Sequence, residues 1–317
     1  MEQRQSITKV AGVDVGKQWL DVAVHGLEDI ERVENGPAGI AELIGWLRAR
    51  EVGRVGLEAS GGYERAVRRA LDEAGFEVVV HQPLEVRLFA RLKRRRAKND
   101  RLDARLIAAA TAQVEAVRAA RDPQLVELAE RLTAYELVTD KAADLKTLLE
   151  SITLKDLAAT LKASLRSLER TKAKLLAEVI ARLKARPDLL NRFRLLLSLP
   201  GVGPVVAATL VVRMPELGSM RRGQAAALAG VAPFDRDSGQ WHGQRFIQGG
   251  RERPRRMLYL AALAARRWSP SLKAFADGLV ARGKAKKLVI VAVMRKLIEA
   301  ANLVLSRGQP WVRHPAT

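Results

Sequence analysis

Four acidic side chains in the first third of the chain have the types and spacing that a divalent-cation site needs. Asp14 lies in VAGVDVG, Glu58 in VGLEASGG, and Asp100 and Asp103 in KNDRLDA. Asp14 sits in an apolar stretch between glycines, where a carboxylate is costly to bury without a cation or hydrogen-bond partners. Glu58 precedes Ser60-Gly61-Gly62, a turn that permits close approach of a ligand. Asp100 and Asp103 fall at the start of a helix with Asn99 as its N-cap, and their spacing puts them on one face. Four carboxylates drawn together repel one another. Mg2+ resolves that conflict, because hard cations take carboxylate oxygens and water. One or two such ions activate a nucleophile and stabilise a leaving oxygen in phosphoryl transfer. Taken singly, each acid is also compatible with a structural role, and Asp100 and Asp103 with solvated pairing to Arg96, Lys98 or Arg101.

A second group lies far downstream. Ser238, in DRDSGQW, is followed by Arg245, Arg251 and Arg255. A serine hydroxyl is a poor nucleophile until a base, a metal or positive charge activates it. Arginines hold a phosphate bidentately and stabilise charge developing on it. Ser-Gly pairs are common in turns, so local chemistry alone does not assign Ser238.

The partner these groups imply is a polyanion. The 317-residue chain carries a formal net charge of +20, and its 48% hydrophobic content suits a folded protein of two or three domains. The densest basic run includes Arg94, Arg95, Arg96 and Lys98, beside the acidic pair, where it would hold phosphates or form a solvated face. Leu199-Pro200-Gly201-Val202-Gly203 joins two apolar helical stretches and reads as a helix-hairpin-helix. The backbone N–H groups around Gly201 and Gly203 would then face a phosphate without reading sequence. A tight turn used only for packing is the alternative. No apolar run reaches the roughly 18 residues of a membrane span. The N-terminus lacks a signal-peptide core, and cysteine is absent. The expectation is a cytoplasmic, nucleoid-associated protein with no membrane partner.

The elements that must position these groups follow from periodicity. Residues 10–15 and 19–25 read as a hairpin, and 30–33 as a third strand. A helix spans 39–50, a strand 55–58, a helix 63–74 and a strand 76–80. This β-β-β-α-β-α-β-α order is that of an α/β ribonuclease-H-like domain, covering 1–120. From 121 to 190 glycine disappears and leucines recur every three or four positions. That pattern predicts a long helical, coiled-coil segment, either an intramolecular spacer or an oligomer interface. Residues 191–317 form a mainly α domain, with a loop or short strands from 230 to 250.

The segments VAGVDVGKQWLDVAV, VGLEASGGYE, KNDRLDARLIA, LPGVGPVVAATL and GVAPFDRDSGQWHGQRFIQGGRERPRRMLYLAAL occur in that order, followed by RKL at 295–297. Together they resemble the DEDD transposases of bacterial insertion sequences (insertion sequence 110 family), the bridge-RNA-guided recombinases. The resemblance spans nearly the whole chain. It implies a RuvC-like N-terminal domain in which Asp14, Glu58, Asp100 and Asp103 are the catalytic tetrad and bind Mg2+. It also implies a C-terminal transposase domain whose Ser238 attacks DNA and forms a covalent phosphoserine. The partners implied are donor and target DNA, a structured bridge RNA, and further copies of the chain as a homodimer assembling to a homotetramer. Delegating sequence choice to base pairing suits a chain with only 4% aromatic residues. A Holliday-junction resolvase or nuclease would use the same four acids with water as nucleophile. An actin-like ATPase shares only the Asp14-Val15-Gly16 start, and a binding protein without catalysis would not need all four acids.

Overall fold

Strict alternation builds the first sheet. In β1 (Lys9–Val15), Ala11, Val13 and Val15 point to one face, and Gly12 and Asp14 to the other. The computed structural model describes residues 9–93, 100–115, 122–234 and 246–312, with the side chains of 100–102 outside that description. β1 pairs antiparallel with β2 (Trp19–Val24), which pairs antiparallel with β3 (Ile30–Glu34). On its other side β1 runs parallel to β4 (Val52–Glu58), and β4 runs parallel to β5 (Glu77–His81). The strand order is β3-β2-β1-β4-β5. The parallel strands are reached through α1 (Pro37–Ala49) and α2 (Glu64–Glu73). Ile40, Leu43 and Leu47 of α1, and Val67 and Leu71 of α2, bury the apolar face formed by Val13, Leu20, Val22, Val55 and Leu57. This is the α/β order read from the sequence, with element ends shifted by one to three residues. An added helix, α3 (Pro83–Leu92), begins at the proline that ends β5. Proline at the first helical position needs no N–H partner, and Gln82 and Glu85 close a capping box.

The opposite face of the sheet is covered by α4 (Asp100–Thr111). Two glycines make that contact possible. A methyl group at Gly12 would collide with the backbone of Ala104 and Ala108, and one at Gly56 with Thr111 and Ile107. Gly12 and Gly56 are register partners on adjacent strands, so α4 rests on a side-chain-free strip across β1 and β4.

Residues 1–120 form one compact unit and 121–317 a second. The second opens with two long antiparallel helices, α5 (Pro123–Ser151) and α6 (Lys155–Lys184), bridged by Arg131–Glu178 and Lys146–Glu169 at 2.6 Å each. Near their roots Leu128, Leu132, Val179 and Leu183 enter the main core. Away from it Leu137, Leu148, Leu154 and Leu157 are exposed. α7 (Pro187–Leu197) turns through Leu199–Gly203 into α8 (Pro204–Arg213), and α9 (Gln224–Leu228) follows. A two-stranded ribbon, β6 (Pro233–Phe234) and β7 (Phe246–Ile247), precedes α10 (Glu252–Trp268), α11 (Pro270–Ala281) and α12 (Lys286–Arg307). α9 and α11 are elements that the periodicity did not predict. No helix among the described residues is long and apolar enough to cross a membrane.

The glycine strip yields a paired prediction. Gly12→Ala forces α4 off the sheet and destabilises the protein by about 1–3 kcal/mol, the usual cost of overpacking. Gly45→Ala, on the open face of α1, stabilises by about 0.5–1 kcal/mol through helix propensity. Urea denaturation of both variants checks the signs.

Candidate active site

The register of the sheet lines up one row of polar side chains on the face that α4 covers. Asp14 on β1 is paired with Asp21 on β2, and Asp21 with Arg32 on β3. On the other side, Val13 pairs with Leu57, so Asp14 and Glu58 occupy the next position on adjacent parallel strands. Glu58 is in turn paired with His81 on β5. The row therefore runs Arg32–Asp21–Asp14–Glu58–His81. Asp14 and Glu58 each stand two residues beyond a glycine of the strip, at the carboxyl ends of their strands, and both are half-buried. Asp103, also half-buried, immediately precedes Ala104, which lies on Gly12. Asp100 is the first residue of α4. Carboxylates in the first turn of a helix are favoured by its dipole. Two strands and one helix thus bring the backbone positions of all four predicted acids to one face.

Different neighbours manage the charge along the row. Asp21, only 4% exposed, is held by Arg32 through two parallel bonds of 2.8 Å, Nε to Oδ1 and Nη2 to Oδ2. A bidentate pair of this kind keeps a buried carboxylate compensated. At the other end, burial holds the His81 imidazole below its ordinary pKa, against the opposing pull of Glu85. The Thr111 hydroxyl gives its proton to the Ile107 carbonyl at 2.7 Å and lies 2.8 Å from His81 Nε2. Its oxygen therefore accepts from Nε2–H, which selects that tautomer of the neutral ring. His81 ties α4 to β5 beside Glu58.

Two loops frame the acids. After β4, the Glu64 carboxylate accepts from Ser60 N, Ser60 Oγ and Gly62 N at 3.1, 3.0 and 2.8 Å. Burial pushes the Glu64 carboxyl up, but these donors outweigh it and leave its pKa lowered. Asn35 Nδ2 donates to the carbonyls of Gly16 and Tyr63 at 2.9 and 3.3 Å, joining the β1–β2 turn to the turn after Glu58. Sequence reading missed Asp21, Arg32, His81, Asn35 and Glu64. The one local signal was Asp21, a charge inside the otherwise apolar WLDVAV.

Hard carboxylate oxygens sharing one face suit a divalent cation such as Mg2+. Among the described residues, however, no three His, Asp or Glu side chains gather closely enough to hold a metal ion. The Asp100 side chain lies outside that set.

The remaining expected site residues divide into two groups. Arg94, Arg95, Arg96, Lys98, Ser238 and Arg245 fall outside the described residues. The others have partners within the second unit. Arg251 binds both Glu216 oxygens at 2.6 and 2.8 Å and the Arg213 carbonyl at 2.6 Å. Arg255 donates to the Gly249 carbonyl at 2.8 Å and reaches that of Gly230 at 3.4 Å. Arg251 therefore ties the start of α10 to the end of α8, and Arg255 braces the root of the β6–β7 ribbon, whose strands flank Ser238 in sequence. Gly201 has φ +76° and lies against Ala261 and Ala265 of α10, so a side chain there is excluded by packing. Gly203 caps α8 with open space before it.

Known proteins share this organisation. The transposase model for DEDD proteins of IS110 matches residues 11–158. A second model, Transposase IS116/IS110/IS902 family, matches residues 193–277. Pilin gene-inverting proteins of Moraxella bovis and Moraxella lacunata are each 24% identical over 311 residues, covering 95% of this chain and 96% of theirs. An uncharacterized 43.6 kDa protein of insertion element IS110 from Streptomyces coelicolor is 30% identical over 158 residues, 49% of this chain and 38% of its own length. With an α/β acidic domain and a helical domain matched in order by models of one group, the chain belongs to the IS110 family of transposases.

Proposed function

We propose that this protein is a DNA recombinase that cuts and rejoins strands through a covalent phosphoserine at Ser238. The observation that carries the reading is the in-register placement of Asp14 and Glu58 beneath the helix that begins with Asp100 and Asp103. Asp14, Glu58, Asp100 and Asp103 would hold Mg2+, which when bound supplies positive charge to the phosphate being attacked. The Ser238 Oγ–P bond forms as the P–O3′ bond breaks. The hydroxyl proton leaves Oγ, and the departing O3′ ends as a free hydroxyl. Arg94, Arg95, Arg96, Lys98 and Arg245 would hold backbone phosphates. The Moraxella relatives, whose name describes inversion of a pilin gene, support recombination over simple hydrolysis.

In this reading a structured bridge RNA sets the sequence, and the protein binds donor and target DNA largely through their backbones. The exposed leucines of α5 and α6 support self-association through the helical hairpin, as a homodimer that assembles to a homotetramer. The acids of one subunit and Ser238 of another would then form a composite site.

Two outcomes are expected. Protein isolated under denaturing conditions from cells carrying its element retains covalently attached DNA, and Ser238→Ala and Asp14→Ala each abolish the adduct. Cleaved DNA without an adduct, unchanged by Ser238→Ala, would mean that water is the nucleophile. DNA affinity measured by filter binding falls roughly 10^3-fold between about 50 and about 200 mM salt, as counterion release by six or more phosphate contacts requires.

A further inference from the structure

The row of charged side chains borders a cleft whose lining includes Asp14 and Asp21 but not Glu58 or Asp103. Beside Asp14, the β1–β2 turn and the start of β2 wall an open depression of about 440 Å3, lined by Asp14, Lys17, Trp19, Asp21 and Arg32. Trp19 is two residues from Asp21 on β2, so its indole is on the face that carries the acids. Trp19 is 48% exposed. A lone exposed aromatic is ordinary. Here, however, the ring forms the wall of a cleft that opens beside the Asp14 carboxylate, with an exposed lysine next to it. The cleft is also built to keep its shape. Arg32 is fixed by its two bonds to Asp21, and Asn35 pins the turn through the Gly16 carbonyl.

We propose that this cleft is a nucleotide subsite, in which Trp19 stacks on the base next to the phosphodiester cut at Asp14 and Glu58, and Lys17 contacts that nucleotide's phosphate. The assignment rests on the proposed strand-cleaving function. Asp21 is a positioning residue, holding the Arg32 guanidinium at the cleft wall. Stacking on an indole requires a base taken out of the duplex, so the subsite selects strands already opened at the cut. It is indifferent to base identity, because every base offers a π-face. Sequence choice is therefore left to other parts of the complex.

The test uses the full-length protein in EDTA, with a thymidine oligonucleotide carrying 5-iododeoxyuridine as photocrosslinking probe. Mass spectrometry is expected to map a crosslink to Trp19. Trp19→Ala should remove it and weaken binding about 5- to 100-fold, the range of one base–aromatic stack. Trp19→Phe keeps a ring and retains most affinity. Lys17→Ala, a surface change that leaves the fold intact, lowers the salt slope by about one. No crosslink at Trp19, with Trp19→Ala and Lys17→Ala both binding as wild type, overturns the subsite. The covalent-adduct assay run in parallel separates the two claims. An adduct without a Trp19 crosslink removes only the subsite. A Trp19 crosslink without an adduct keeps a nucleotide-binding cleft and removes the recombinase mechanism.

Discussion

The close approach of α4 to β1 and β4 is the constraint on which the acidic domain depends. Helices ordinarily rest on sheets through layers of side chains. Here the backbone of α4 lies against Gly12, and its Thr111 and Ile107 side chains fill the space above Gly56. With two side chains removed, the start of the helix reaches the level of the strand ends. The same alternation that points Gly12 and Gly56 at the helix points Asp14 and Glu58 at it two residues later. One geometric rule therefore both seats the helix and aims the acids.

Holding carboxylates side by side on a sheet raises the energy of the folded state unless each is compensated. The structure compensates them differently along the row. Asp21 is neutralised by a bidentate arginine on the next strand. The acids of α4 lie in the favourable field of the helix N-terminus. His81, kept neutral by burial and committed to Thr111, adds no charge to the far end. The site face is thereby left with Asp14 and Glu58 as its central charges, which is where a cation is of most use.

The helical domain uses its arginines differently from what a net charge of +20 suggests. Arg251 holds Glu216 beyond the end of α8, and Arg255 braces the ribbon root. Arg213 and Arg253 both reach Glu136, while Arg256 pairs with Asp140, binding α5 to α8 and α10. Glycine has a structural part here as well. Gly230 and Gly250 sit backbone to backbone, where a side chain on either would collide with the other segment. Gly201 is similarly pressed against α10, which gives its left-handed conformation a packing purpose inside the LPGVG turn. Overall charge identifies a polyanionic partner but does not say which cations meet it, because guanidinium groups also serve as internal braces.

Much of the architecture was legible in the chain itself. Strand alternation in 10–15 and 19–25, helical spacing in 39–50, and the glycine-free run after 121 are local patterns, and local geometry expresses them directly. The tetrad acids stood out because carboxylates in apolar or glycine-rich contexts need a reason to be there. The helix that begins at Pro83 was not legible, since proline suits the end of a strand as well as the start of a helix. What the tertiary structure alone decided is lateral. The register that sets Asp21 beside Asp14 and Arg32 beside Asp21, the Asn35 link between two turns, and the pairing of Arg251 with Glu216 all join residues distant in sequence. Such partners depend on how strands align and helices dock, which no periodicity within a single segment encodes.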